Sequence, residues 1–427
     1  MKHWILAAAT LLLMNNAHAE IAKWTPPGSR SYNCEKKCPK PVSRESRKQE
    51  CGKPACVKQA DPCCPPVCFE RALPTEVTCT PSAFSESANL ELRNSQNLRF
   101  SVSYLYWQAM QGGMDLAVPA QALSNPIPDG SSIQASPSGN SVLTQDFSFD
   151  SGFKIGAGWF GAKDEWVVYG EYTRLHGNSQ TSANAIAPSV ASVGGVAVPP
   201  LGVWTPTSWF PLNSYTNGSA ASISSNWQYN VDLVDLQLSR PFYSGTRFTL
   251  EPFVGFRTAL IDQTMSIDAI NIPTVSVGFP APVRNANYAS DSWGVGPRAG
   301  MNGNWLMGSG VRFIGNAAAS LLYTRYTKVT GKVDSPDTGT VTSLPVNVRM
   351  HSVNTLRPNM DLSMGLGWGS YFKCRRIFWD LSATYDFNIF WEQNMMRSLA
   401  DLTNTGSDGA ASNLYLHGLT LRTQINF

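Results

Sequence analysis

Charge is scarce in this 427-residue chain: Asp, Glu, Lys and Arg make up 15% of it, against about 25% in an ordinary soluble domain. A water-facing globule is therefore a poor fit. Long apolar runs are also missing. Trp4 to Met14 is apolar but falls short of the roughly twenty residues a membrane helix needs, and no other stretch reaches that length. Histidine is rare, with five in the chain, and neither G-x-S-x-G nor H-E-x-x-H occurs, so the common signatures of serine hydrolases and zinc proteases are absent. His176, His351 and His417 fall near strand ends, where an imidazole is commonly an interfacial residue. The Gly294-x-Gly296 and Gly365-x-Gly367-x-Gly369 runs lack the following helix and lysine of a phosphate loop and read as close packing against aromatics. A net charge of +3 without a basic stripe argues against nucleic acid. No enzymatic activity, cofactor or metal is expected.

What is there is alternation. In the last thirteen residues Tyr415, Leu419, Leu421, Ile425 and Phe427 share one parity, and Gly418, Thr420, Arg422, Gln424 and Asn426 share the other. A strand with one greasy and one polar face, ending on Phe427, is what barrel assembly machinery reads as its closing signal. Aromatics reach 11%, as expected where rings form belts at two lipid–water boundaries. With lipid as solvent, a chain of strands must close on itself, so the fold class predicted is an all-β transmembrane antiparallel barrel.

Parity gives ten strands: 98–109, 145–160, 165–176, 225–240, 247–261, 292–305, 311–326, 356–369, 377–391 and 415–427. The ninth is clearest, with Ile377, Trp379, Leu381, Ala383, Tyr385, Phe387, Ile389 and Trp391 opposing Asp380, Ser382, Thr384, Asp386, Asn388 and Glu392. In the fourth, Trp227, Tyr229, Val231 and Leu233 keep one phase and Val234, Leu236 and Leu238 the other, which predicts a bulge near Leu233. Pro252, Pro297 and Pro358 lie inside proposed strands and predict bulges or lost ladder bonds. Met265 to Ile270 and Asn347 to Val353 could extend strands above the membrane or add a hairpin, so twelve or more strands fit too.

Connections at 161–164, 241–246, 306–310 and 370–376 are short, whereas 110–144, 177–224, 262–291, 327–355 and 393–413 are long. Bacterial barrels keep short turns in the periplasm, and an even strand count leaves both chain ends there. By parity Arg99, Lys154, Arg247, Arg257, Arg298, Arg312, Arg357 and Arg422 point inward with Asp150, Glu171, Asp232, Asp235, Glu251, Asp361, Asp380 and Asp386. Eight charges of each sign give no ion preference. They could line a conducting constriction or neutralise one another as filling, and small barrels leave little room for water.

The amino terminus reads as a secretory signal over residues 1–19: a basic start, the apolar run, and Ala17-His18-Ala19 as cleavage site. Residues 20–80 form a Cys/Pro-rich basic module and 81–97 a linker, with a short helix expected over Glu86 to Asn94. The module holds eight of the nine cysteines, Cys34, Cys38, Cys51, Cys56, Cys63, Cys64, Cys68 and Cys79, and Cys374 stands apart. In an oxidising compartment an even set reads as a disulfide framework; eight cysteines allow 105 pairings. The Cys34-x3-Cys38 and Cys51-x4-Cys56 spacings also fit metal ligation. Adjacent Cys63 and Cys64 point to different partners, and some thiols could bridge neighbouring envelope proteins.

The stretches SVSYLYWQA (Ser101 to Ala109), DSGFKIGAGW (Asp150 to Trp159), GPRAGMNGNW (Gly296 to Trp305), LRPNMDLSMGLGWGSYF (Leu356 to Phe372), TYDFNIFWEQNMMR (Thr384 to Arg397) and NLYLHGLTLRTQINF (Asn413 to Phe427) resemble the major outer membrane protein-like pore-forming family of Legionella and chlamydia-like bacteria. The resemblance spans about 98–427 and implies an abundant outer-membrane barrel that conducts small solutes, with no catalytic residues to carry over. A porin is the expected function, with outer-membrane lipid, the assembly machinery and a second copy of itself as expected partners; a sealed structural or adhesive barrel, disulfide-linked through its module, is the alternative.

Overall fold

The computed structural model describes residues 96–427 except 122–135, 138–140, 162–165, 185–191, 194–195, 198–202, 211–219, 245–246, 272–282, 335–344, 374–375, 408 and 410, together with Ala88, Leu90 and Leu92. The signal segment, the module with its eight cysteines, and Cys374 lie outside the described residues. So does most of the helix expected over Glu86 to Asn94, although Ala88, Leu90 and Leu92 are not helical.

Ten long strands form the wall: β1 (Leu98–Gln111), β2 (Phe149–Phe160), β3 (Val167–Asn184), β4 (Ala220–Ser239), β5 (Phe248–Asn271), β6 (Val283–Gly308), β7 (Val311–Asp334), β8 (Val353–Phe372), β9 (Ile377–Phe390) and β10 (Leu414–Asn426). Each pairs antiparallel with the next, and β10 pairs back onto β1 from Arg99↔Asn426 to Gln111↔Leu414, so no edge is left open. Phe427 seals the seam: Leu98 donates to its carbonyl at 2.9 Å, its own N–H donates back at 3.0 Å, and its ring stacks on Phe100 with centroids 5.8 Å apart.

The outward face of the lower strands is apolar. Val254, Phe256, Leu356 and Met364 are about 60% exposed, which in water would be costly and in lipid is the favourable arrangement. Trp293 and Trp305 stand on this face of β6, twelve residues apart. That separation is about 30 Å along the barrel axis for tilted strands, close to a hydrocarbon thickness. Other ring pairs mark the same two levels, Trp368–Trp379 at 6.3 Å near the short turns and Tyr106–Phe149 at 5.1 Å near the long loops.

Above the upper level the polarity reverses. On β4, Trp227, Tyr229, Val231 and Leu233 are buried inside and Gln228 and Asn230 face outward; below, Asp235 is inside and Val234 and Leu238 face out. The bulge expected at Leu233 is therefore absent, and both neighbouring registers run through Leu233 unbroken. The phase change in hydrophobicity records the strand leaving the membrane, where lipid no longer rewards an apolar exterior and the interior becomes an ordinary core. A direct consequence is that Asp232 points outward, where it accepts from Tyr172 Oη at 2.7 Å and pairs with His176 Nε2 at 3.0 Å.

The strands β5, β6 and β7 carry on past the membrane, so much of the long connections 262–291 and 327–355 is strand, including Met265 to Ile270, which was expected to extend a strand or add a hairpin. Val346–Met350 adds a partner to the top of β7. A bulge does occur, on β7, where Thr327 is skipped between Asp291↔Lys328 and Ser292↔Tyr326.

The prolines are placed where a missing N–H matters least. Arg240 donates to the carbonyl of Pro252, and Trp391 to that of Pro358, each where the ladder on that side ends. Only Pro297 interrupts a ladder, costing the β6–β7 pairing at 296–297 without changing register. No bulge forms at any of the three.

Candidate functional site

The turn-end half of the lumen is a polar chamber. Its cavity is about 370 Å³ and is lined by Arg99, Lys154, Glu171, Glu251, Arg257, Arg298, Arg312, Asp361, Asp380, Asp386 and Arg422 of the expected inward set. Asp235 joins them. Arg247 does not: it is exposed in the turn before β5, where its carbonyl accepts from Leu306 N–H at 2.7 Å. Arg357 is inward but above the cavity, against Tyr326 and bonded to Glu392. Asp150 is inward too, accepting from Tyr229 Oη at 2.7 Å beside Gly177.

The charges are organised in neutral groups. Arg257 binds Asp235 in a fork at 2.6 and 2.7 Å and reaches Asp361 at 2.8 Å. Arg298 reaches the same two carboxylates at 3.2 and 2.5 Å. Each cation thus touches both anions, which is the geometry that lets four buried charges compensate one another. Arg312–Asp380 at 2.5 Å and Lys154–Asp386 at 3.3 Å are separate pairs, and Arg99 approaches Glu251 on the opposite wall at 4.0 Å.

Two uncharged residues that sequence reasoning passed over complete the chamber. Asn359, 1% exposed, accepts from Arg257 at 2.6 Å and Ser320 at 3.0 Å while donating to the Ile389 carbonyl at 3.0 Å. Tyr169 Oη meets Ser101 at 2.7 Å, donates to Glu171 at 2.8 Å and accepts from Arg422 at 2.8 Å. Gly156 makes this possible, since a Cβ there would sit 1.9 Å from the Tyr169 oxygen. Their parity, shared with Asp361 and Glu171, was the available signal.

The loop-end half of the lumen is closed by packing. Leu105, Trp107, Leu175, Trp227, Val231, Met265, Ile267, Leu414 and Leu416 from five strands form one buried cluster with Leu116, Trp209, Met396 and Ala400. The last two belong to α1 (Met395–Thr405), a helix within a segment expected to be loop. Asn394 caps its start, accepting from Arg397 N–H at 3.0 Å, and Gly406 ends it in the left-handed region at φ 69°. Met395, Met396, Leu399 and Ala400 fall on one face and are buried, with Ser398 buried beside them.

Polar contacts fasten this cap. Asn394 donates to the Gly112 carbonyl at 2.9 Å and Arg397 to that of Gly113 at 3.1 Å. Arg397 pairs with Asp401 at 3.0 Å, and Ser208 donates to the same carboxylate at 2.5 Å. Gln393 bridges Tyr326 and Ser292 at 3.1 and 3.0 Å. Trp209 lies under Arg397 and edge-on to Tyr288, whose hydroxyl donates to the Trp209 carbonyl at 2.7 Å.

A closed ten-stranded antiparallel barrel with a lipid-facing waist and two aromatic levels defines an integral membrane protein of the outer-membrane type. More particularly, residues 93–427 match the family described as Legionella pneumophila major outer membrane protein precursor, and the chain belongs to it. Family and fold together give an outer-membrane location. No curated protein matches the chain.

Solved structures with some likeness include the outer membrane protease OmpT from Escherichia coli, at 9% identity over 80% of this chain and 99% of that one with a TM-score of 0.37. The Pseudomonas putida toluene transporter TodX follows at 7%, 78% and 90% with 0.17, and a Pseudomonas aeruginosa FadL homologue at 9%, 77% and 89% with 0.22. Likeness at this level carries no argument about what the present chain does.

Proposed function

We propose that this chain is a porin-like outer-membrane protein for small solutes, with a charged chamber opening toward the periplasm and an apolar cap that stoppers it on the cell surface. The observation that carries the reading is the cavity itself: about 370 Å³ of space lined by charges of both signs, where a barrel serving only as wall would fill its lumen with side chains. Balanced charges suit small polar or zwitterionic solutes without ion preference. The short turns at the chamber end support a periplasmic orientation, as in other bacterial barrels. Passage then waits on displacement of the cap. The eight cysteines of residues 20–80 support a disulfide-rich periplasmic module ahead of the barrel, open to cross-linking with neighbours.

A sealed structural barrel is the second reading, favoured by the continuity of the cap. Liposome swelling separates the two. Vesicles carrying the full chain should take up a small amino acid slowly, and a variant with 393–411 replaced by a short Gly/Ser linker should take it up at least about tenfold faster. No uptake by either protein, with barrel content intact, would leave the sealed wall.

A further inference from the structure

The outer wall just above the upper aromatic level is electrically lopsided. On β4, β5 and β6 the outward charges at this height are Asp232, which stands opposite the exposed Arg174 of β3, Asp262 and Asp291. On β7 and its added partner Val346–Met350 they are basic. The bulge at Thr327 creates this arrangement, because skipping one residue turns Lys328, Thr330 and Lys332 outward and puts Val329, Gly331 and Val333 inside.

The register fixes the neighbours. Arg325 stands between Trp293 of the aromatic level and Asn354. Lys332 stands between Asn287 and Asn347, and Thr330 between Ala289 and Arg349. Arg325, Lys328, Lys332 and Arg349 are all exposed. Among the described residues the acids near them are Asp291, 3.8 Å from Lys328, and Asp334 at the strand end, so the described part of the patch carries a net positive charge with amide groups interleaved. Residues two apart on one face are about 7 Å from each other, so Arg349 lies within a side chain's reach of both lysines.

Cations directly above an interfacial tryptophan sit at headgroup height, where anionic groups of lipid are recognised. We propose that Arg325, Lys328, Lys332 and Arg349 bind the phosphates of the outer-leaflet glycolipid, so that one side of the barrel carries a bound lipid and the acidic side does not. The inference rests on the orientation given under Proposed function, though not on conduction.

The test is titration of the full chain, folded in detergent, with bisphosphorylated lipid A, read by native mass spectrometry beside Arg325→Ser/Lys332→Ser/Arg349→Ser. Wild type should retain the lipid and the triple variant should bind at least about tenfold more weakly, while Asp262→Asn, on the acidic side, binds as wild type does. Dephosphorylated lipid should bind wild type poorly. Equal binding by wild type and triple variant would overturn the proposal, as would insensitivity of wild-type binding to removal of the phosphates. Inorganic phosphate competing at the same concentration as the lipid would overturn the lipid assignment. If the triple variant does not fold, wild-type retention unchanged by raised salt would contradict it alone. Slow vesicle uptake would bear on the porin reading and leave this one standing.

Discussion

Between its two ends the barrel runs the same strands through two solvents. Near the turns, β4 presents Leu238 and Val234 to lipid and Asp235 to the lumen; near the loops, it presents Asn230 and Gln228 to water and Trp227 and Tyr229 to the interior. β5 does likewise, with Phe256 outside and Arg257 inside giving way to Asp262 outside and Ile261 inside. The pleat does not change phase. What changes is which face the solvent rewards, and the level of the change is where the membrane ends.

The largest losses of stability are expected at the buried charges and at the apolar cap. Arg257→Ala removes the group that forks onto Asp235 and leaves buried carboxylates short of a partner, which should cost about 3–5 kcal/mol in reversible urea unfolding from lipid vesicles. Trp227→Ala, in the cap, should cost a similar amount, about 3–5 kcal/mol, and should raise solute uptake, which the chamber substitution has no reason to do through the cap.

On the outward face a single substitution reads the solvent. Leu236→Arg, within the lipid band, should destabilise by about 2–4 kcal/mol, whereas Asn230→Arg, six residues up the same face, should cost no more than about 1 kcal/mol. Equal costs would place both residues in the same solvent and erase the distinction between the two halves. The smallest effect belongs to Asp232→Asn: its pairing with His176 is partly exposed, with side chains 22% and 32% accessible, and should contribute under about 1 kcal/mol.

Assembly is a separate matter from stability. Deletion of Phe427, or Phe427→Asp, removes the ring stacked on Phe100 at the seam, and the protein should accumulate in the periplasm instead of the outer membrane, read by fractionation and heat-modifiable mobility.

Much of this was legible in the amino acids. Inside the lipid band, alternation is enforced by solvent on one face and polar lumen on the other, so the ninth strand's parity translated directly into Asp380, Thr384 and Asp386 inside and Trp379 and Leu381 outside. Above the band the same alternation carries the opposite meaning, and parity alone assigned Trp227 and Tyr229 to the lipid face and Asp232 to the lumen. The clue was present as the phase change at Leu233, but a bulge and a change of solvent look alike in one strand. They differ across strands: β4 and β5 reverse at paired residues, Leu233 opposite Ala259, which independent bulges have no reason to do. The cap helix was hidden because its Asn394 cap and Gly406 stop sit in a segment whose polar composition resembles an exposed loop.

In the proposed porin the chamber is reached from the turn end and shut at the loop end. Ser363 lines the chamber and can be replaced by Cys, with labelling by a small membrane-impermeant thiol reagent followed on the peptide that carries residue 363. Labelling should be at least about tenfold faster in opened envelopes, where the periplasmic side is accessible, than in intact cells; equal, rapid labelling in both would contradict a chamber shut at the loop end.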